Sequence, residues 1–423
     1  MSAGASKKVA VIGFGNMGSG VVEALYEKGV PGLELTRVVD IDLETPRPVT
    51  VPASYLSTDW RQAVNDPAID IIVELIGGIE PAGSIISEAL RNGKDVVTAN
   101  KMLLAHKGQE IFSLAADLKR RIGFRASFVG CHVLIHEFQQ AGVAAKSYRR
   151  IYAILNGTSN YILSTMTRDG KSFEQALKEA QEKGLAETDP SDDVDGIDTA
   201  NKIRILLGLI TNSYRTVQAF PIEGIRNVTA QDIQYAVELG YSIKLVGVIE
   251  QNEGRFNVAV HPALVPRTSL LGTLEGAYNG TELEDEYGVV SGFVAPGAGV
   301  YPTTDAIVKD LLDIAGGESL PMPSSAEELS LGITEAAERR YYLRFSAVDQ
   351  AGVLAQISEI FWKHDISIAA VIQKEAVSRD FVPLVMTTHL AREGNLQEAV
   401  KRVDRMEVVR AETRVIRILN ADT

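Results

Sequence analysis

Apolar positions in the first hundred residues fall into short blocks that alternate between two periods. KKVAVIG (7–13) is a buried, β-branched strand pattern. SGVVEALYEKG (19–29) instead sets Val21, Val22 and Leu25 at helical spacing. LELTRVVDID (33–42) and AIDIIVELIGG (68–78) read as strands, AGSIISEALRNG (82–93) as a helix ending in glycine, and KDVVTANK (94–101) as a further strand. Strands alternating with helices predict a parallel sheet with helices on its faces. Beyond residue 340 the pattern changes. YYLRFSAVD (341–349), DISIAAVIQ (365–373), FVPLVMTTHL (381–390) and ETRVIRIL (412–419) read as strands. A helix carrying Val353, Ile357, Ile360 and Phe361 follows the first of them, and a second helix lies at NLQEAVKRVDRM (395–406). This is a ferredoxin-like βαββαβ order.

Between the first strand and the first helix lies GFGNMG, which matches G-x-G-x-x-G over Gly13, Phe14, Gly15, Asn16, Met17 and Gly18. In this strand–loop–helix–strand setting the glycines allow a tight turn and close approach of a pyrophosphate to the helix N-terminus. The alternative is a plain glycine-rich turn. Asp40 ends the second strand, 22 residues after Gly18. A carboxylate there suits the ribose 2′-hydroxyl of NAD and repels a 2′-phosphate, so NAD is favoured. Arg47 leaves NADP possible, and Asp40 facing solvent is the competing reading. Polar residues at the carboxyl ends of parallel strands face the ligand crevice. Asn100 and Lys101 are therefore expected near the nicotinamide.

The stretch ETDPSDDVDGIDTANK (187–202) gathers Glu187, Asp189, Asp192, Asp193, Asp195 and Asp198 before a single lysine, Lys202. Like charges repel, so such a run calls for an explanation. Asp189, Asp192, Asp193 and Asp195 read as capping, turn and surface groups. Asp198 and Lys202 are four apart and share a helix face. A calcium loop is disfavoured, because the D-x-[DN]-x-[DN]-G pattern with its distal glutamate is absent.

Composition narrows the classes. At 423 residues the chain exceeds one core, and two or three domains are expected. A formal net charge of −13 argues against nucleic acid or an anionic membrane as partner. Cys131 stands alone, so no internal disulfide forms, which fits a reducing compartment. The N-terminus runs straight into a strand pattern without a signal-peptide apolar segment, and no apolar run is long enough for a bilayer. A cytoplasmic protein is expected. Among six histidines only His132 and His136 stand at HxxxH spacing and no HExxH occurs, which disfavours a zinc enzyme.

VELIGG (73–78), VVTANK (96–101), ILNGTSNYIL (154–163), GLAETDPSDDVDGIDTANK (184–202) and GAGVYPTTDA (297–306) occur in that order. Together they resemble homoserine dehydrogenases over nearly the whole chain. The resemblance implies reversible NAD(P)-dependent reduction of L-aspartate 4-semialdehyde to L-homoserine. It implies Lys202 as the proton-transferring lysine and Asp198 as an orienting, substrate-binding carboxylate. Glu187, Gly184 and Thr158 would bind substrate, and Lys101 would act on the substrate or its carbonyl. Gly77, Asn100, Lys101 and Gly299 join the glycine loop and Asp40 as cofactor contacts. Residues 341–423 resemble an ACT domain, with DQAG (349–352) in place of its usual D-x-P-G loop. Asp349 and Gly352 would then lie beside an amino-acid effector, associated in this family with threonine. A purely structural role is the alternative.

One segment departs from the family, which usually has E-A-S-V-x-G-G-I-P where this chain has RASFVGCHV (125–133). Arg125, Phe128, Cys131, His132 and Val133 replace family residues, and Gly130 is kept. A guanidinium in place of a carboxylate should abolish binding of the family's monovalent cation by simple charge. Either Arg125 supplies that positive charge internally, or it points to solvent; a changed substrate or lost activity is the third possibility. The expected architecture is a Rossmann dinucleotide-binding domain (1–128), an α+β catalytic and dimerisation domain (129–318), a linker (319–340) and an ACT domain (341–423). The helix at 303–317 should return to the Rossmann domain. A homodimer or homotetramer is expected. A related oxidoreductase for another amino-acid aldehyde, and a catalytically silent sensor, are the rival readings.

Overall fold

The computed structural model describes residues 6–128, 148–213, 220–252, 254–318, 323, 332, 337–374 and 381–419. Gly130, Cys131, His132, Val133 and most of the expected linker lie outside them. The chain forms two compact units.

The first unit takes residues 1–148, 198–220 and 284–329. Its sheet contains β1 (Lys7–Ile12), β2 (Leu33–Val39), β3 (Leu56–Ser57), β4 (Ile71–Glu74), β5 (Asp95–Thr98) and β6 (Ile122–Gly123). The strand order is β3-β2-β1-β4-β5-β6, and the neighbours run parallel. The order reverses between β1 and β4, which opens a crevice at the carboxyl ends of those strands. Strands here are largely apolar because helices cover both faces: all four residues of β4 are buried, three of them aliphatic. The helix Ala82–Arg91 turns Ile85, Ile86, Ala89 and Leu90 inward. The expected helix at 19–29 is instead an α-helix, Asn16–Val22, continued by a π-helical stretch, Glu23–Gly29. The helix Val300–Gly316 packs Ala306, Ile307, Leu311 and Ile314 into one core with Val9, Val21 and Leu25. Gly20 permits the approach, since a Cβ there would lie 2.5 Å from Thr304 Oγ1.

The second unit takes residues 149–197, 221–283 and 330–423. Its sheet runs, in spatial order, through Tyr278–Asp285, Tyr148–Ile154, Tyr241–Asn252, Arg255–Pro266, Arg414–Ile418, Glu338–Ala347, Val382–Thr388 and Ile368–Gln373. The last four strands, with helices Val353–Lys363 and Glu393–Val403, form the expected ferredoxin-like layer. Tyr341, Phe345, Ile357, Phe361, Leu384 and Leu396 fill its core. This layer continues the neighbouring sheet: Arg417 and Ile418 pair in parallel with Ala263 and Leu264. Arg339 grips Glu250 through two hydrogen bonds of 2.7 and 3.1 Å, and Arg344 holds the buried Asp232 at 2.6 Å. Among the described residues no helix is long and apolar enough to cross a membrane.

Candidate active site

The three fingerprint glycines serve different ends. Gly13 holds φ +104°, and a Cβ there would come within 2.7 Å of the Leu75 carbonyl. At Gly18 a Cβ would lie 1.9 Å from Gly13 O. Both positions are fixed by packing of the chain on itself. Gly15, which precedes the helix beginning Asn16-Met17, faces open space instead. A glycine that no internal contact demands, at the mouth of a strand–helix turn, fits a loop shaped for close approach of a phosphate.

Asp40 stands just past the end of β2 and turns back onto this loop. Its Oδ2 accepts the Phe14 N–H at 2.5 Å and its Oδ1 the Asp42 N–H at 2.9 Å. The Arg47 guanidinium lies 5.9 Å from the centroid of the Phe14 ring and donates to Asp42 O at 3.1 Å. A carboxylate and a guanidinium thus both border the glycine loop. Gly77 follows β4 with φ +73°. Gly299, with φ +142°, caps the helix Val300–Gly316.

Past β5, Asn100 caps the helix Lys101–Asp117 by accepting the Leu103 N–H on Oδ1 at 3.0 Å. Lys101 is therefore the first helical residue at the carboxyl end of a central strand. Its Nζ lies 2.5 Å from Asp198 Oδ1, and Lys202 Nζ donates to Asp198 Oδ2 at 2.9 Å. Asp198 and Lys202 occupy one face of the helix Ile197–Thr211, as their spacing predicts. The side chains of Asp198 and Lys202 are 5% and 7% exposed, and that of Lys101 is 43% exposed. Burial alone would raise the Asp198 carboxyl, but Lys202 and Lys101 win and hold it well below the usual carboxylate range. The result is one buried anion between two ammonium groups, a unit able to hold and move a proton.

In the second unit, Asn156 caps the helix Gly157–Asp169, accepting the Ser159 N–H at 2.7 Å. Its amide also donates to Asp193 Oδ1 at 2.6 Å. The Thr158 hydroxyl donates to Leu185 O at 2.7 Å, which joins the helix start to the loop of Gly184 and Glu187. Glu187 is exposed. Asp189, Asp193 and Asp195 of the acidic run have structural partners. Asp189 accepts from Ser191 in a local turn, and Asp195 pairs with Arg226. Behind the helix, the Lys244 amine is buried against Asn160 Oδ1 at 3.0 Å and the Leu274 carbonyl. Burial pulls it down to about 8, against the pull of Glu275.

Arg125 does not face solvent; that reading is corrected by its 4% exposure. Its Nη1 lies 2.7 Å from Asp310 Oδ1 and 2.5 Å from Asp313 Oδ2, and its backbone N–H donates to Asp310 Oδ2 at 2.9 Å. Burial pushes Asp310 up to about 7, against the pull of Arg125. Phe128 is buried beside it, in the short 3₁₀ turn Arg125–Phe128. Asp349 is exposed, and Gly352, with φ +89°, caps the helix Val353–Lys363. Among the described residues no cluster of three or more His, Cys, Asp or Glu side chains is arranged to hold a metal.

Sequence reasoning missed Glu74, Asp310, Asp313 and Lys244. Glu74 interrupts the strand expected at 68–78 and Asp310 the buried face of the helix expected at 303–317, and that is the signal that marks them; no element was expected around Lys244, and Asp313 lies off the buried face.

Family models match residues 13–125 ("Homoserine dehydrogenase, NAD binding domain"), 134–312 ("Homoserine dehydrogenase") and 341–408 ("ACT domain"). The homoserine dehydrogenase of Synechocystis sp. is 36% identical over 433 residues, covering 98% of this chain and 99% of that protein. That of Pseudomonas aeruginosa is 34% identical over 421 residues, covering 95% and 96%. The crystal structure of a homoserine dehydrogenase from Thiobacillus denitrificans superposes with a TM-score of 0.90 at 33% identity, covering 98% of both chains. The chain belongs to the homoserine dehydrogenase family.

Proposed function

We propose that the chain catalyses the reversible NAD(P)-dependent reduction of L-aspartate 4-semialdehyde to L-homoserine, and that its site residues follow the roles expected above. The observation that supports this most directly is the Lys101–Asp198–Lys202 cluster at the carboxyl end of the parallel sheet. A nicotinamide cofactor held at the glycine loop would supply or receive the hydride. Lys202 gives a proton to the aldehyde oxygen as the carbon is reduced, and takes it from the 4-hydroxyl in the reverse direction. Asp198 orients the Lys202 amine and holds the substrate. Lys101 adds positive charge where the carbonyl oxygen becomes an alkoxide. Glu187 accepts from the α-ammonium, with Gly184 and Thr158 beside it; a charge-assisted hydrogen bond is the strong form of that contact.

The cofactor would be held by residues 13–18 with Asp40, Gly77, Asn100, Lys101 and Gly299, and NAD is preferred through Asp40. Arg125, bound to Asp310 and Asp313, carries within the chain the positive charge that a monovalent cation brings elsewhere. Turnover then needs no added Na⁺ or K⁺. The domains run 1–128, 129–318 and 341–423; the segment 319–340 leads from the second to the third, and its last residues already belong to the strand Glu338–Ala347. Asp349 and Gly352 border an amino-acid effector, and the enzyme works in the cytoplasm as a homodimer or homotetramer. Purified protein with L-homoserine and NAD or NADP, followed by nicotinamide absorbance, tests the reading. Turnover supports it. Turnover only with a different amino alcohol points to a related oxidoreductase, and nucleotide binding without turnover to a sensor.

A further inference from the structure

The carboxyl end of β4 holds a group that the mechanism above leaves unused. Glu74 has no exposed surface. Its carboxylate takes neutral donors: the N–H groups of Ile76 and Gly77 on Oε1 at 2.9 and 3.2 Å, and the Thr98 hydroxyl on Oε2 at 2.6 Å. Burial raises its carboxyl, and these donors oppose the rise. Among the described residues no cation pairs with it, and a fully buried carboxylate without a cation is costly. Ile72 and Val73, its neighbours in the strand, show the ordinary apolar solution. Stability alone therefore does not account for an acid here.

The groups that Glu74 joins suggest its use. On one side is the turn of Gly77 and Gly78, both at positive φ, which follows the strand into the crevice. On the other is Thr98, whose Oγ1 also accepts the Asn100 N–H at 3.0 Å. Asn100 donates from Nδ2 to Gly78 O at 2.6 Å and caps the helix that begins at Lys101. Lys101 then reaches Asp198. One buried carboxylate thus ties the loop after β4 to the residue that sets the start of the lysine helix.

We propose that Glu74 is a positioning residue for the dehydrogenase reaction: through Thr98 and Asn100 it fixes the Lys101 amine against Asp198 relative to the cofactor loop. This rests on the functional reading above. The test compares Glu74→Gln, Thr98→Val, Thr98→Ser and the Glu74→Gln/Thr98→Val pair in the full chain, using homoserine and the preferred nicotinamide cofactor. Loss of the tie displaces Lys101, and kcat falls about 10- to 100-fold, while KM for homoserine changes much less. Thr98→Ser keeps the hydroxyl and restores most of kcat. The double variant is no slower than either single one, because both cut one connection. The proposal is overturned if Glu74→Gln and Thr98→Val keep wild-type kcat, if their losses multiply, or if Thr98→Ser is as slow as Thr98→Val. Should Glu74→Gln fail to fold, the Thr98 comparison decides alone. Wild-type turnover tests the functional reading by itself; variants that match an active wild type remove only the role of Glu74.

Discussion

Asp198→Asn keeps the shape of the side chain and removes its charge. In the wild type, Asp198 faces Lys101 at 2.5 Å and Lys202 at 2.9 Å. A pair of unit charges at that range attracts with on the order of 6 kcal/mol at an effective dielectric of about 20, before desolvation is subtracted. Removing one partner from a buried pair costs about 3–5 kcal/mol, because the remaining charge stays buried. Lys202, nearly inaccessible, carries this cost; the half-exposed Lys101 adds about 1 kcal/mol or less. We expect the variant to lose about 3–5 kcal/mol of unfolding free energy at pH 7. Its kcat should fall by about 10²–10⁴, since the amine is no longer held for proton transfer. The sign with pH is fixed. The folded carboxyl lies below its unfolded value of about 3.9, so its contribution is present above that value and is lost as pH falls toward the folded one. Denaturant unfolding from pH 7 downward, with initial rates at pH 7, reads both effects. The gap between wild type and variant should narrow below about pH 4. A variant within about 0.5 kcal/mol of wild type at pH 7, the range of an ordinary surface change, with unaltered kcat, would refute the reasoning.

Gly15→Ala should leave unfolding free energy within about 0.5 kcal/mol of wild type yet weaken nicotinamide cofactor binding measured by fluorescence titration, because a Cβ there meets nothing of the chain. Gly18→Ala should destabilise the fold by about 1–3 kcal/mol, because its Cβ collides with Gly13 O. Arg125→Met leaves Asp310 and Asp313 facing each other without their cation. It should cost about 3–5 kcal/mol at pH 8 and less at pH 5, where a buried carboxyl already raised to about 7 takes up a proton. Chemical unfolding at the two pH values checks this. Wild-type activity should not change when Na⁺ or K⁺ is added, and strong activation by either would count against Arg125 as their substitute.

Part of this architecture is legible in the amino-acid sequence. The β-branched blocks at 7–13 and 68–78 and the intervening glycines specify parallel buried strands, since each block is apolar on both faces. Asp198 and Lys202 meet because four residues make one helical turn. The expected strand at 33–42 ends instead at Val39, where the Asp40 carboxylate leaves the ladder and takes the Phe14 and Asp42 amides. What local pattern cannot give is pairing at long range. Arg125 and Asp310 lie 185 positions apart, and nothing near either residue names the other. The same holds for Arg417 beside Ala263, the pairing that makes the ferredoxin-like layer part of a larger sheet. Glu74 is visible only as a polar break in an apolar strand, a signal that marks a residue without naming its partners.

The central claim is that Lys202 carries the proton in a nicotinamide-dependent reduction. The most direct measurement is single-turnover reduction of L-aspartate 4-semialdehyde by preloaded reduced cofactor in wild type and Lys202→Met. The account predicts unchanged cofactor affinity and a chemical step slower by about 10²–10⁴ in the variant. A variant that binds cofactor normally and reduces the aldehyde at the wild-type rate would contradict it.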